Sequence, residues 1–145
     1  MSLLWSINRL YLEYISALDE SELLPGVREY LMDLKAKGIG IALGSASKNA
    51  EFILDKLNIT ALFDVVIDGN KVSMAKPDPE VFSKACAELK LQPEDCVVYE
   101  DAEAGIQAAK AAGMRVVGIG NRKVLREADR VVSGLHELVG LDRLN

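Results

Sequence analysis

Four short apolar runs, separated by stretches of helical periodicity, constrain this chain more than any other feature. They are IGIALGS (39–45), DVVID (64–68), CVVYED (96–101) and RVVGIG (115–120), with RVV (130–132) as a candidate fifth. Each run is too short for a helix and too apolar for a strand that is wet on one side, so each reads as a buried strand. The resulting β-α-β-α-β alternation predicts an α/β fold, a parallel sheet with helices on both faces. In such sheets ligands bind outside the carboxyl ends of the strands. The residues to weigh are therefore those that follow each run.

The intervening segments carry ordinary helix punctuation. Pro25 stands near the start of a helix bearing Val27, Tyr30, Leu31 and Leu34 and closed by Gly38. Ser47 reads as the N-cap of a helix through Leu57, and Asp78-Pro79 as N-cap and first turn of the next. A helix over 102–112 ends at Gly113, where glycine serves the left-handed cap position. A last helix is expected from about Leu135. At the other end Ile7, Leu10, Tyr11, Tyr14, Ile15 and Leu18 recur at helical spacing, so 4–18 is expected to be an amphipathic helix. Met1-Ser2-Leu3 carries no structural weight in this reading.

Composition excludes several function classes. With 17 basic and 22 acidic residues the net charge is −5, which argues against nucleic acid as a partner. No apolar stretch is long enough to span a membrane, and the expected location is cytoplasmic. Cys86 and Cys96 lack metal-ligand spacing and read as buried thiols in a reducing compartment. The single histidine, His136, rules out a histidine-based zinc cluster, and it reads as an ordinary packing or surface residue. The glycine patterns fit neither a dinucleotide fingerprint nor a Walker loop.

Three strand ends carry candidate chemistry. The first is Ser45-Ala46-Ser47-Lys48-Asn49, whose hydroxyls, backbone N–H groups and ammonium suit an anion. Simple capping by Ser47, with Lys48 in solvent, accounts for it equally well. The second is Lys76 in AKPDPEVF, a point charge for a phosphate or merely a surface lysine. The third is Glu100-Asp101. Two adjacent acids at the mouth of an apolar strand repel, and a hard cation such as Mg²⁺ relieves that. Capping by Asp101 explains only one of the two.

In this order the three stretches resemble a known family. IALGSASKN, KPDPEVF and VVYEDAEAGIQAAKAAG are similar to the second, third and fourth motifs of the haloacid dehalogenase (HAD) superfamily of phosphotransferases, and more narrowly to the β-phosphoglucomutase group. The resemblance covers residues 24 to about 140. It implies that Ser45 holds the transferring phosphoryl group, that Lys76 neutralises it, and that Asp101 with Glu100 holds Mg²⁺. It further implies that Ala46, Ser47, Lys48 and Asn49 bind the non-reacting phosphate of a sugar phosphate or other small phosphate ester. Ala102 departs from the pattern, because close relatives often have serine there.

The family's nucleophile is an aspartate in an Asp-x-Asp motif on its first, central strand, and no Asp-x-Asp occurs in this sequence. The resemblance therefore implies residues 1–22 as the end of a helical cap plus a linker, and 23–145 as a Rossmann-like HAD core missing its central nucleophile strand. The full-length parent would interconvert β-glucose 1-phosphate and glucose 6-phosphate, while this chain alone would be inactive. A gap mid-sheet would leave unpaired strand edges, so a rearranged sheet or self-association is expected. Two alternatives stay open: a phosphatase of small phosphorylated metabolites, and a non-catalytic phosphate-binding module.

Overall fold

The computed structural model describes residues 2–7 and 27–133. Its elements are β1 (Ser2–Ile7), α1 (Val27–Ala36), β2 (Ile41–Ser45), α2 (Ala50–Lys56), β3 (Val65–Ile67), α3 (Glu80–Glu88), β4 (Cys96–Glu100), α4 (Glu103–Ala111), β5 (Arg115–Ile119) and β6 (Arg130–Val132). All strand pairings are parallel, in the order β3-β2-β1-β4-β5-β6. The expected α/β architecture is present, and the candidate strand at 130–132 forms its edge.

Side-chain alternation along the strands builds two cores, one on each face. Ile41, Leu43, Val97 and Tyr99 point to the face covered by α1 and α2, where Tyr30, Leu31, Leu34, Ile53 and Leu54 meet them. Ala42, Cys96, Val98 and Val116 point to the other face, under Phe82, Ala85, Ile106 and Ala109 of α3 and α4. Period-two alternation in a sheet buried on both sides has this result. Gly44 lets α3 come close, since a Cβ there would lie 3.0 Å from Val81 Cγ2. Gly38 and Gly113 close α1 and α4 with φ of +75° and +78°, as their positions required.

The central position of the sheet is a correction. Residues 4–7, read as the start of a helix, belong to β1, and Ser2 and Leu3 belong to it as well. Leu3 pairs with Ile41 on one side and Val97 on the other, and Ile7 reaches Ser45. β2 and β4 are thus neither left with a gap nor forced together, and the unpaired central edges expected to drive self-association are absent among the described residues. The physical reason is that a sheet open along two inner edges leaves backbone N–H and C=O groups unpaired, and any apolar segment of strand length satisfies them. SLLWSI is such a segment, but it carries no aspartate. What the central strand lacks is the nucleophile's chemistry rather than the strand itself. The remainder of the expected N-terminal helix (8–18), the domain division at 22/23, the C-terminal helix and His136 lie outside the described residues.

Two helix starts differ from the sequence reading by small amounts. α2 begins at Ala50 rather than after Ser47, because residues 45–49 are used as a chain of small turns. Ser45 Oγ accepts the Ser47 N–H (3.1 Å) and Ser47 Oγ accepts the Asn49 N–H (3.0 Å). Hydroxyl-to-backbone bonds of this kind compete with helix formation. α3 begins at Glu80 with Pro79, not Asp78, in the N-cap position; Asp78 Oδ1 still accepts the Glu80 N–H at 3.0 Å from one residue further out.

Candidate active site

Parallel strands bring their carboxyl ends to one edge, and the candidate residues converge there. A cavity of about 210 Å³ is lined by Ser45, Ala46, Gly69, Val72, Ser73, Met74, Ala75, Lys76 and Val81. Ser45 is fully buried at the end of β2. Gly69 permits the close approach of the loop after β3, because a Cβ there would stand 2.3 Å from the Ala46 carbonyl oxygen. Its N–H bonds the Ser47 carbonyl at 3.0 Å, and Asn70 Nδ2 donates to the Lys48 carbonyl at 3.3 Å. The two loops are thereby fixed side by side.

Lys76 reaches the site from the loop before α3. Its Nζ lies 3.2 Å from Glu100 Oε2 and 5.1 Å above the centre of the Phe82 ring. Glu100 is 1 % exposed. A buried carboxylate is tolerated only when it is paired and hydrogen-bonded. Besides Lys76, Glu100 accepts the N–H groups of Asp101 (3.0 Å) and Ala102 (3.1 Å) through Oε1. Gly105 makes room for it: a Cβ at 105 would fall 1.9 Å from Glu100 Oε2.

Asp101 is exposed as a residue. Its carboxyl is nonetheless pushed up to about 7, first by partial desolvation and then by the hydrogen bond and charge of Glu100; its own backbone N–H and Lys76 act in the opposite sense. Solvent screens part of this at an exposed position. The direction has a simple cause, since two neighbouring acids with one lysine paired to Glu100 hold excess negative charge.

Of the residues singled out from sequence, Ser45, Ala46 and Lys76 line one cavity, and Glu100 touches Lys76 with Asp101 beside it. Ser47, Lys48 and Asn49 are not in the cavity wall and stand beyond it on the turn that leads into α2. The wall formed by Gly69 and Val72–Ala75 was not read from sequence. Glycine after a strand was the only signal available, and it marks a turn more often than a site. Among the described residues no cluster of three or more His, Cys, Asp or Glu side chains is grouped to hold a metal. Cys86 and Cys96 are free and buried with sulfurs 3.6 Å apart, as their composition suggested. Burial and the adjacent Cys86 push the Cys96 thiol up to about 12.

Comparison with known proteins decides the family. A model of haloacid dehalogenase-like hydrolases matches residues 5–113. The chain belongs to the haloacid dehalogenase-like hydrolase family. Among its relatives, the β-phosphoglucomutase of Bacillus subtilis (strain 168) is 44% identical over 131 residues, covering 90% of this chain and 58% of that protein. A phosphorylated carbohydrates phosphatase of Thermotoga maritima is 40% identical over 121 residues, covering 77% and 56%. The crystal structure of β-phosphoglucomutase from Clostridium difficile superposes with a TM-score of 0.83 at 39% identity, over 88% of this chain and 57% of that one. The chain therefore spans a little over half the length of these HAD relatives. The HAD assignment agrees with the parallel sheet and with the site at its carboxyl edge.

Proposed function

We propose that this chain carries the phosphate-holding and metal-holding part of a HAD phosphoryl-transfer site, in a parent that isomerises a sugar phosphate in the manner of β-phosphoglucomutase. The observation that supports this most is that Ser45 and Lys76 line one cavity at the carboxyl edge of the sheet, with Glu100 paired to Lys76. In this reading Ser45 donates its hydroxyl to a phosphoryl oxygen and Lys76 supplies the balancing cation. Ser47, Lys48 and Asn49, outside the cavity wall, grip the distal phosphate of a substrate that extends past Ala46.

Asp101 fits Mg²⁺ as a carboxylate ligand with Glu100 behind it. The pair holds excess negative charge, Asp101 is exposed, and Mg²⁺ commonly takes one or two carboxylates with phosphate oxygens and water completing its shell. When bound, the ion would draw charge from the phosphoryl group. Glu100 keeps Lys76 at the cavity, and its two backbone bonds keep the Asp101 peptide in place.

The reaction also needs a nucleophile and a general acid, and the sequence contains no Asp-x-Asp to provide them. This chain alone is accordingly inactive in our reading. The test is phosphate release and glucose 6-phosphate formation from β-glucose 1-phosphate with Mg²⁺. No turnover by this chain, with glucose 6-phosphate formed by a longer chain bearing an Asp-x-Asp strand, is the expected result. Turnover by this chain that disappears in Asp101→Ala overturns the inactivity. The similarity to the Thermotoga maritima phosphatase favours a second reading, hydrolysis of a phosphorylated carbohydrate. Phosphate release without isomerisation by the longer chain selects it. Phosphate binding with neither reaction would select a non-catalytic module.

A further inference from the structure

We propose that Glu80 is a positioning residue, one that sets the Ser73–Lys76 wall of the cavity and so tunes which phosphate esters the site accepts. The claim rests on the reading of the cavity as a phosphate site. Glu80 opens α3, close to the cavity but absent from its lining. Both its oxygens turn back onto the preceding loop. Ser73 N–H donates to Oε1 at 2.9 Å and to Oε2 at 3.2 Å, Ser73 Oγ lies 3.2 and 3.0 Å from the same two atoms, and Met74 N–H reaches Oε2 at 2.8 Å. Lys84, one turn on, stands 3.3 Å from Glu80 Oε1 and also donates to the Lys71 carbonyl. The first turns of α3 thus hold the loop at both ends, 71 and 73–74.

That attachment matters because the stretch 73–75 is exposed and has no side chain in the core. Ser73, Met74 and Ala75 are exposed, and Met74 has 55% of its surface in solvent. Val72 packs against the core, but an exposed stretch beyond it with few buried apolar contacts samples many conformations. Here the same segment supplies Ser73, Met74, Ala75 and Lys76 to the wall. A carboxylate is suited to the task, since it offers acceptors only and faces two N–H groups and a hydroxyl. Glutamine cannot replace it, because the amide NH₂ would meet donors. Ser73 and Met74 line the cavity together with Ser45 and Lys76, so fixing them fixes part of the surface that an ester would meet.

The test compares wild type, Glu80→Gln and Glu80→Asp, each held well below its unfolding midpoint. Affinities for inorganic phosphate and for glucose 6-phosphate are measured by calorimetry, and amide exchange over residues 71–76 by mass spectrometry. Glu80→Gln should raise exchange in 71–76 at least tenfold with helices α1 and α4 unchanged. It should weaken glucose 6-phosphate about tenfold and inorganic phosphate less than threefold. Glu80→Asp should recover part of both effects. A purely structural role would lower the midpoint but leave the ratio of the two affinities unmoved, and that result overturns the proposal, as does unaltered exchange at 71–76. Wild type that binds neither ligand refutes the phosphate reading of the cavity, and the positioning role falls with it. Wild-type binding with Glu80→Gln indistinguishable from it refutes the positioning role alone.

Discussion

Gly105 offers the sharpest test of how the acid pair is built. In Gly105→Ala the new methyl would lie 1.9 Å from Oε2, 2.0 Å from Cδ and 2.3 Å from Cγ of Glu100. No real contact is that short, so either Glu100 or the start of α4 must move. Glu100 is the end of a flexible side chain, but it is 1 % exposed and has nowhere wet to go without leaving Lys76 and the N–H groups of Asp101 and Ala102. Breaking a buried pair on one side costs about 3–5 kcal/mol. Alanine in a helix returns at most about 1 kcal/mol relative to glycine. The net destabilisation is then about 2–4 kcal/mol, or roughly 4–16 °C in Tm at about 2–4 °C per kcal/mol for a chain of this size. Urea unfolding monitored by circular dichroism measures it. The companion is Glu100→Ala/Gly105→Ala, in which the methyl has room; the two changes should couple by at least about 1.5 kcal/mol in a double-mutant cycle. If Gly105→Ala is as stable as wild type, Glu100 does not require the glycine, and the account of the buried carboxylate is wrong.

Lys90 follows α3 with φ of +61°, a conformation that costs a residue bearing a Cβ about 1–2 kcal/mol, so Lys90→Gly should stabilise by about 0.5–1 kcal/mol in thermal unfolding. Asn58, at φ +56°, tolerates that region better, and Asn58→Gly should gain less in the same assay. The hydroxyls of Tyr30 and Tyr99 lie 2.6 Å apart in the core. Tyr30→Phe should cost about 1–2 kcal/mol, and the double change to Phe less than the sum of the singles. Glu80 is held at about 2 by the Ser73 and Met74 N–H groups, below its ordinary value of 4.5. A depressed carboxyl stabilises above the unfolded value, and that contribution is lost as pH falls from 4.5 toward 2. The acid limb of the unfolding midpoint should therefore be shallower in Glu80→Gln, and an unchanged limb would refute the assignment.

Most of the fold was legible because burial on both faces leaves a plain mark. Val97, Val98 and Tyr99 form an unbroken apolar run, and one after another they face opposite cores. The acid pair stood out in the sequence because two adjacent carboxylates rarely end such a run, and the structure pairs one of them, Glu100, with Lys76. Two things were not legible. Leu4 to Ile7 read as helix because local periodicity continues into Leu10 and Tyr11, whereas strand formation there depends on partners at 41–45 and 96–99, far away in sequence. Glu80 and Gly105 lie within KPDPEVF and VVYEDAEAGIQAAKAAG, yet neither stood out, since each acts on a neighbour rather than on a ligand.

The filled centre of the sheet changes what the missing Asp-x-Asp means. With an empty slot, inactivity and instability would be a single defect, because the residues around the site would have no strand to rest on. With β1 in place, Ser45 at the end of β2 has Ile7 for a register partner, and the first four residues of β4 pair with β1. Folding of the cavity and possession of a nucleophile are then separable properties. Glu100 needs only Lys76, two N–H groups and the space at Gly105, all present on this chain. The inactive chain with an intact cavity that we propose is thus a physically coherent state. It follows that phosphate should raise the Tm of this chain even where no turnover is detected, and that Lys76→Met should abolish the rise. A phosphate-insensitive Tm would refute the phosphate reading of the cavity.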